Sequence, residues 1–129
     1  MAWTPIHLSS DVPLPKGPYS PAVRAGDFIF ASGQVPRDPV TGALAGDDVA
    51  TQTRQTLSNL QRVLEQGGAS LADVVSVTVY LARADDWEAM NAVYSEAFHA
   101  PFPSRTTVGA ELRGILVEIS AVAYAQRPS

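Results

Sequence analysis

Two periods alternate along this chain. From about Asp48 to Gln66 apolar positions recur at helical spacing, with Val49, Thr53, Leu57 (beside Thr56), Leu60 and Val63/Leu64 on one stripe. Gly67-Gly68 supplies a stop, and the polar positions on the far face are expected to be solvated. A second helix is predicted from an Asp85-Asp86 cap to about His99, ahead of Pro101. Its stripe is Trp87, Met90, Tyr94 and Ala97/Phe98, and Asn91 falls on that stripe. A buried amide there needs a partner, either a nearby backbone group or a ligand or subunit. Ser70–Asp73 reads as a capped helical turn.

Elsewhere the period is two. Ala22–Arg24 and Phe28–Ser32 flank Ala25-Gly26-Asp27 as a hairpin, with Phe28, Phe30 and Ser32 on one face. Val74–Leu81 is a β-branched run, apolar on both faces. In Ile115–Ala125 one face carries Ile115, Val117, Ile119, Ala121 and Ala123, and the other Leu116, Glu118, Ser120, Val122 and Tyr124. The stretch 103–108 is strand-like, with Arg105 in phase with Thr107. Residues 1–21 hold five prolines and allow only an edge piece near Trp3–Leu8. Proline on both sides of Tyr19 restricts its backbone, and Gly33 permits close approach of a ligand or another chain segment. Arg37–Asp48 is a polar, turn-rich loop.

The predicted order is β(β)β–α–β–α–ββ, an α+β pattern with about five or six strands. Two helices cover one sheet face, yet strands apolar on both faces need a second cover. No segment remains to provide it, so association of copies through that face is expected.

Composition narrows the chemistry. A chain of 129 residues is long enough for one domain, spanning 1–129. A net charge of −4 argues against a nucleic-acid partner. No apolar run reaches membrane-spanning length, and the N-terminal residues lack the pattern of a secretory signal, so a cytoplasmic location is expected. There is no cysteine, and the only lysine, Lys16, sits among prolines. His7 and His99 lack companions at metal-ligand spacing. An enzyme built from these residues works without a thiolate, a Schiff-base lysine, a metal or other cofactor.

What stands out is Glu118 inside an apolar strand and Arg105 just upstream. A strand pair joined by 109–114 could bring the two together, and Arg is shaped for a two-point grip on a carboxylate. The pair is then either a site for a small anion or only an interface ion pair.

Several ordered motifs extend this. They are Gly17-Pro18-Tyr19-Ser20, Phe30-Ala31-Ser32-Gly33-Gln34 and Asp38-Pro39-Val40-Thr41-Gly42, then Gln52 through Asn59-Leu60 and Val77-Thr78-Val79-Tyr80-Leu81. Trp87 with Met90-Asn91 and Val93-Tyr94 follows, and Pro103-Ser104-Arg105-Thr106-Thr107-Val108 with Val117-Glu118-Ile119 completes the set. Together they resemble the RidA/YjgF family of enamine/imine deaminases. The resemblance implies a chorismate-mutase-like α+β fold, with a mixed six-stranded sheet, two helices on one face and a homotrimer packed on the other. It also implies clefts between subunits that hydrolyse small carboxylate-bearing imines and enamines, such as 2-aminoacrylate, to 2-keto acids and ammonia. Under it Arg105 holds the substrate carboxylate, Glu118 positions or activates water, and Tyr19 closes the cleft. Ser32, Gly33 and Asn91 line or brace it, with a main-chain contact at Thr107. Many members have cysteine where this chain has Thr107, and the connection before Glu118 is short, with Leu112-Arg113 in place of Leu-Pro. The alternatives are a member that binds small 2-keto acids without turnover, and an endoribonuclease, for which the sequence offers no basic track.

Overall fold

The computed structural model describes residues 2–9 and 15–127. Residues 10–14 of the proline-rich stretch lie outside them. The strands are β1 (Trp3–Pro5), β2 (Ala22–Ala25), β3 (Phe28–Gln34), β4 (Val74–Leu81), β5 (Ser104–Gly109) and β6 (Val117–Tyr124), and the helices are α1 (Val49–Gln66) and α2 (Trp87–Ala97). The six strands form one mixed sheet in the order β1-β2-β3-β6-β4-β5. This is the expected architecture of two helices and a mixed sheet.

Each element follows from local chemistry. Gly26, at φ 61°, turns the β2–β3 hairpin, which pairs Val23 with Phe30 and Ala25 with Phe28. Asp48 caps α1 by accepting the Thr51 N–H at 2.9 Å. Gly68, at φ 86°, leads the chain out of the helix. The Asp73 carboxylate accepts the Ser70 N–H at 2.9 Å, closing the short turn before β4.

The chain crosses twice through helices, from β3 through α1 to β4 and from β4 through α2 to β5. Only β4 and β5 are parallel neighbours, because β6 enters antiparallel to both β3 and β4. The core fills the space between helices and sheet: Leu57, Leu60 and Leu64 of α1 and Met90 and Val93 of α2 pack toward Ile29, Val77, Val79, Val117 and Ile119. On the opposite sheet face lie Phe28, Phe30, Tyr80, Val122 and Tyr124, with Ser76, Thr78, Ser120 and Glu118 among them. Phe28 and Tyr124 meet edge to face at 5.2 Å. Among the described residues no helix crosses this face.

Three expectations for α2 are corrected. Arg83 takes the carboxylate of Asp86 at 3.0 Å, so no side-chain bond from Asp86 caps α2. The helix stops at Ala97 rather than His99, and Phe98 is already extended ahead of Pro101. Trp87 is 40% exposed, and the inner stripe of α2 is Met90, Val93, Tyr94 and the following Phe98.

On α1, two polar positions flanking the apolar stripe are buried. Gln52 is 2% exposed; its amide donates to Gly46 O at 2.9 Å and accepts the Leu116 N–H at 2.8 Å. Asn59, also buried, donates to the carbonyls of Val35 (2.8 Å) and Arg37 (2.9 Å) and accepts from Gln55 (2.9 Å). These two amides tie both ends of the 35–46 loop, and the entry to β6, onto one helix. Arg24 does similar work at the other end of the sheet, donating to the carbonyls of Gly67 and Ala125, each at 2.8 Å.

Gln52→Leu keeps the volume but removes the partner of the Gly46 carbonyl and of the Leu116 N–H, both in part-buried hydrogen bonds. A loss of about 1–3 kcal/mol in urea unfolding is expected, from two hydrogen bonds worth about 0.5–1.5 kcal/mol each. A change under about 0.5 kcal/mol, the usual range for surface substitutions, would mean that water replaces the amide at no cost.

Candidate functional site

The alternation of β6 decides where Glu118 points. Val117 and Ile119 face the helices and are fully buried, so Glu118, paired across to Tyr80, projects from the open face. Its side chain lies over Gly33 at the end of β3. A Cβ on Gly33 would sit 2.9 Å from the Glu118 Cδ and 3.1 Å from its Cγ, with Oε2 closer still. The glycine is needed for that approach. Glu118 is half-buried, and its carboxylate makes no hydrogen bond or ion pair among the described residues.

Ser32 and Tyr19 belong to the same neighbourhood. The Ser32 hydroxyl donates to Ser20 O at 2.7 Å and its N–H to Pro21 O at 2.9 Å, so Ser32 braces the loop that carries Tyr19. Tyr19 is 58% exposed and lines the same cleft as Gly33. One group is therefore Tyr19, Ser32, Gly33 and Glu118.

Arg105 is elsewhere. β5 and β6 are not neighbours, because β4 runs between them. Arg105 pairs with Val77 and Thr107 with Val79, both of which face the helices. Arg105 accordingly reaches α2, where Nη1 donates to Asn91 Oδ1 at 2.8 Å and the guanidinium lies 4.7 Å from the Tyr94 ring centroid. The expected meeting of Arg105 and Glu118 through the 109–114 connection does not occur within one chain. The two side chains project from opposite faces of the sheet.

The Arg105 group has its own unfinished chemistry. One guanidinium nitrogen is held by Asn91, leaving other N–H donors free for an anion. The Tyr94 hydroxyl and Thr107 Oγ1 are buried with no hydrogen-bond partner among the described residues. Buried polar groups are rarely left so. Sequence reasoning placed Tyr94 only in the core. The available signal was its position three residues after Asn91, on the same helix face.

The chain matches known proteins over nearly its whole length. Residues 9–125 match the family described as Endoribonuclease L-PSP. The chain belongs to that family. This is the YjgF/RidA family that the sequence motifs resemble. The RutC family protein PH0854 of Pyrococcus horikoshii is 44% identical over 121 residues, covering 92% of this chain and 96% of the relative. A family member from Dermatophagoides farinae, named 2-iminobutanoate/2-iminopropanoate deaminase, is 38% identical over 112 residues, covering 85% of this chain and 88% of the relative. Among solved structures, E. coli TdcF with bound serine superposes with a TM-score of 0.86 at 30% identity, covering 95% of this chain and 99% of TdcF.

Burial raises the Tyr94 phenol above its ordinary value of 10.0, while the Arg105 charge pulls it down. The folded chain thus keeps this proton where the unfolded chain has lost it. The resulting stability is whole below about pH 10 and is lost as pH rises through the folded value. Unfolding stability should therefore fall more steeply in alkali for wild type than for Tyr94→Phe. Arg105→Ala should move the phenolate absorbance change of this tyrosine to still higher pH. Equal alkaline slopes in wild type and Tyr94→Phe would show that Tyr94 is not the group responsible.

Proposed function

We propose that this protein is a cofactor-independent deaminase that hydrolyses small carboxylate-bearing imines, and their enamine tautomers, to 2-keto acids and ammonia. The observation that carries the reading is the division of the site. A cation held for anion capture and an unpaired carboxylate project from opposite faces of one sheet. Each half is incomplete alone, and a second copy docked on the open face would supply the other. A homotrimer is the assembly proposed, with one cleft at each junction. The imine deaminase from Dermatophagoides farinae and the serine-bound TdcF lend support from within the family.

The proposed chemistry asks little of the protein, because an imine carbon is already electrophilic. Arg105, steadied by Asn91, takes the substrate carboxylate in a two-point grip. Tyr94 and Thr107 offer hydroxyls beside it. Glu118, from the neighbouring copy, orients a water molecule and accepts its proton as the oxygen adds to the C=N carbon. On a protonated imine the π electrons pass to nitrogen, leaving a neutral amine on the carbinol carbon. Glu118 then returns its proton to that nitrogen, and as the C–N bond breaks and ammonia leaves, the carbinol hydroxyl gives its proton back to Glu118 and the C=O of the keto acid forms. Tyr19, exposed on a braced loop, covers the cleft. Binding of a small carboxylate without turnover is the second reading, and bound serine in TdcF favours it.

With an imine generated in situ by an amino-acid oxidase, wild type should accelerate keto-acid release. Arg105→Ala and Glu118→Ala should each lower kcat/KM by about 30- to 1,000-fold, the range for losing one charged contact to the transition state. If two copies build each cleft, refolding these inactive variants together at equal amounts should restore about a quarter of wild-type activity, since that share of junctions draws both intact residues. Activity that returns confirms the division; none returning places Arg105 and Glu118 in separate functions. Wild type no faster than buffer, with carboxylate binding retained, selects the second reading. Gly33→Ala should fold normally and lose activity, because its methyl displaces the Glu118 carboxylate.

A further inference from the structure

We infer that the cleft between the Tyr19 loop, the 35–42 loop and α1 is a second binding pocket, which takes a small organic anion with an apolar body. The cleft has a volume of about 520 Å³, within the span of ordinary ligand pockets. Neither Arg105 nor Glu118 lines it. The Gly33 backbone forms part of its wall, with Glu118 packed against the glycine from the open sheet face. Tyr19 and Gly33, both placed in the proposed catalytic half, also line it, so the pocket shares a wall with that half while its charged lining lies apart from Arg105 and Glu118.

Its charge is what singles it out. The charged side chains on its walls are Lys16, Arg37, Arg62 and Asp38, three cations against one carboxylate. The chain as a whole carries −4, so this is a concentrated positive region in an acidic protein. Asp38 leaves the balance unchanged across the neutral range. Its carboxylate accepts the N–H groups of Thr41 (2.8 Å) and Val40 (2.9 Å), which hold it below the usual carboxylate value and so keep it ionised. Arg62 feels the charge of Asp38, but among the described residues neither Arg62 nor Lys16 donates a hydrogen bond. Arg37 gives one, from Nη1 to Gly42 O at 3.2 Å. Most of the donors on these three cations are uncommitted.

The walls between the cations are apolar, from Leu8, Pro21, Val35, Val40 and Val63. Geometry is set in advance, because the buried Asn59 amide holds the carbonyls of Val35 and Arg37 on one side. An inorganic ion would leave the apolar walls wet, and a neutral hydrocarbon would leave the cations unmatched. A carboxylate or phosphate monoester on an aryl or alkyl body matches both.

Isothermal titration with 4-phenylbutyrate, phenyl phosphate and the neutral 4-phenylbutan-1-ol tests this on the full chain. Either anion should bind wild type and Arg105→Ala alike. The alcohol should bind at least about tenfold more weakly, as should either anion with the double variant Arg37→Ala/Arg62→Ala, since charge-assisted contacts are among the stronger ones. Arg62→Lys should recover part of the affinity, which a folding defect would not allow. Whichever anion binds more tightly identifies the head group. The inference is overturned if the alcohol matches the anions or if the double variant binds like wild type. It is equally overturned if Arg105→Ala abolishes binding, or if neither anion binds wild type at about 10 mM, weaker than any specific pocket of this size should be.

Discussion

The placement of β6 between β3 and β4 governs everything else in this molecule. Because side chains on a strand alternate, one register commits Val117, Ile119, Ala121 and Ala123 to the core and turns Glu118 outward. The same insertion separates β5 from β6, so Arg105, reading its own register against Val77, is turned toward α2. A slip of one residue in the β6 pairing would bury the Glu118 carboxylate among valines, at a cost far above any gain from the ladder, and the same slip in β5 would turn Arg105 onto the open face. The hydrophobic core therefore fixes the polar chemistry, without either charged residue contributing to the core.

Much of this was legible beforehand, and for physical reasons. The helix of residues 48–66 has a stripe and a stop that agree with one another, and α1 spans Val49–Gln66. The strands read as apolar on both faces are the central β4 and β6, but only one face of each is buried, and the other mixes Ser76, Thr78, Glu118 and Ser120 with Tyr80, Val122 and Tyr124. The expectation that failed was a pairwise one. Chain adjacency suggested that the strands holding Arg105 and Glu118 were partners, but pairing is settled by which elements lie between them in space, and β4 lies between these. The family motifs pointed to these residues without revealing that they face apart.

Buried polar side chains were the other blind spot. Gln52 and Asn59 look like ordinary solvated positions in a helical repeat, because periodicity registers polarity and not what a side chain can reach. Their partners are backbone groups of loops and of the approach to β6, set only by the tertiary fold. Tyr94 escaped notice for the opposite reason. An aromatic residue on an inner stripe is usually just packing, and its ring does pack against Phe98 at 4.6 Å, while its other side supports the Arg105 charge.

The two amides of α1 also divide the 35–46 loop into parts with different freedoms. Its ends are nailed to a helix that belongs to the core, whereas the tip from Asp38 to Gly42 is held by its own turn, through the Asp38 carboxylate and the Gly42 N–H on Asp38 O. Sequence can drift at such a tip, or even grow by insertion, without disturbing the frame around it. Descendants of this chain can thus exchange the rim of one cavity while leaving β3, β5 and β6 untouched. The scaffold is modular at a scale of five residues.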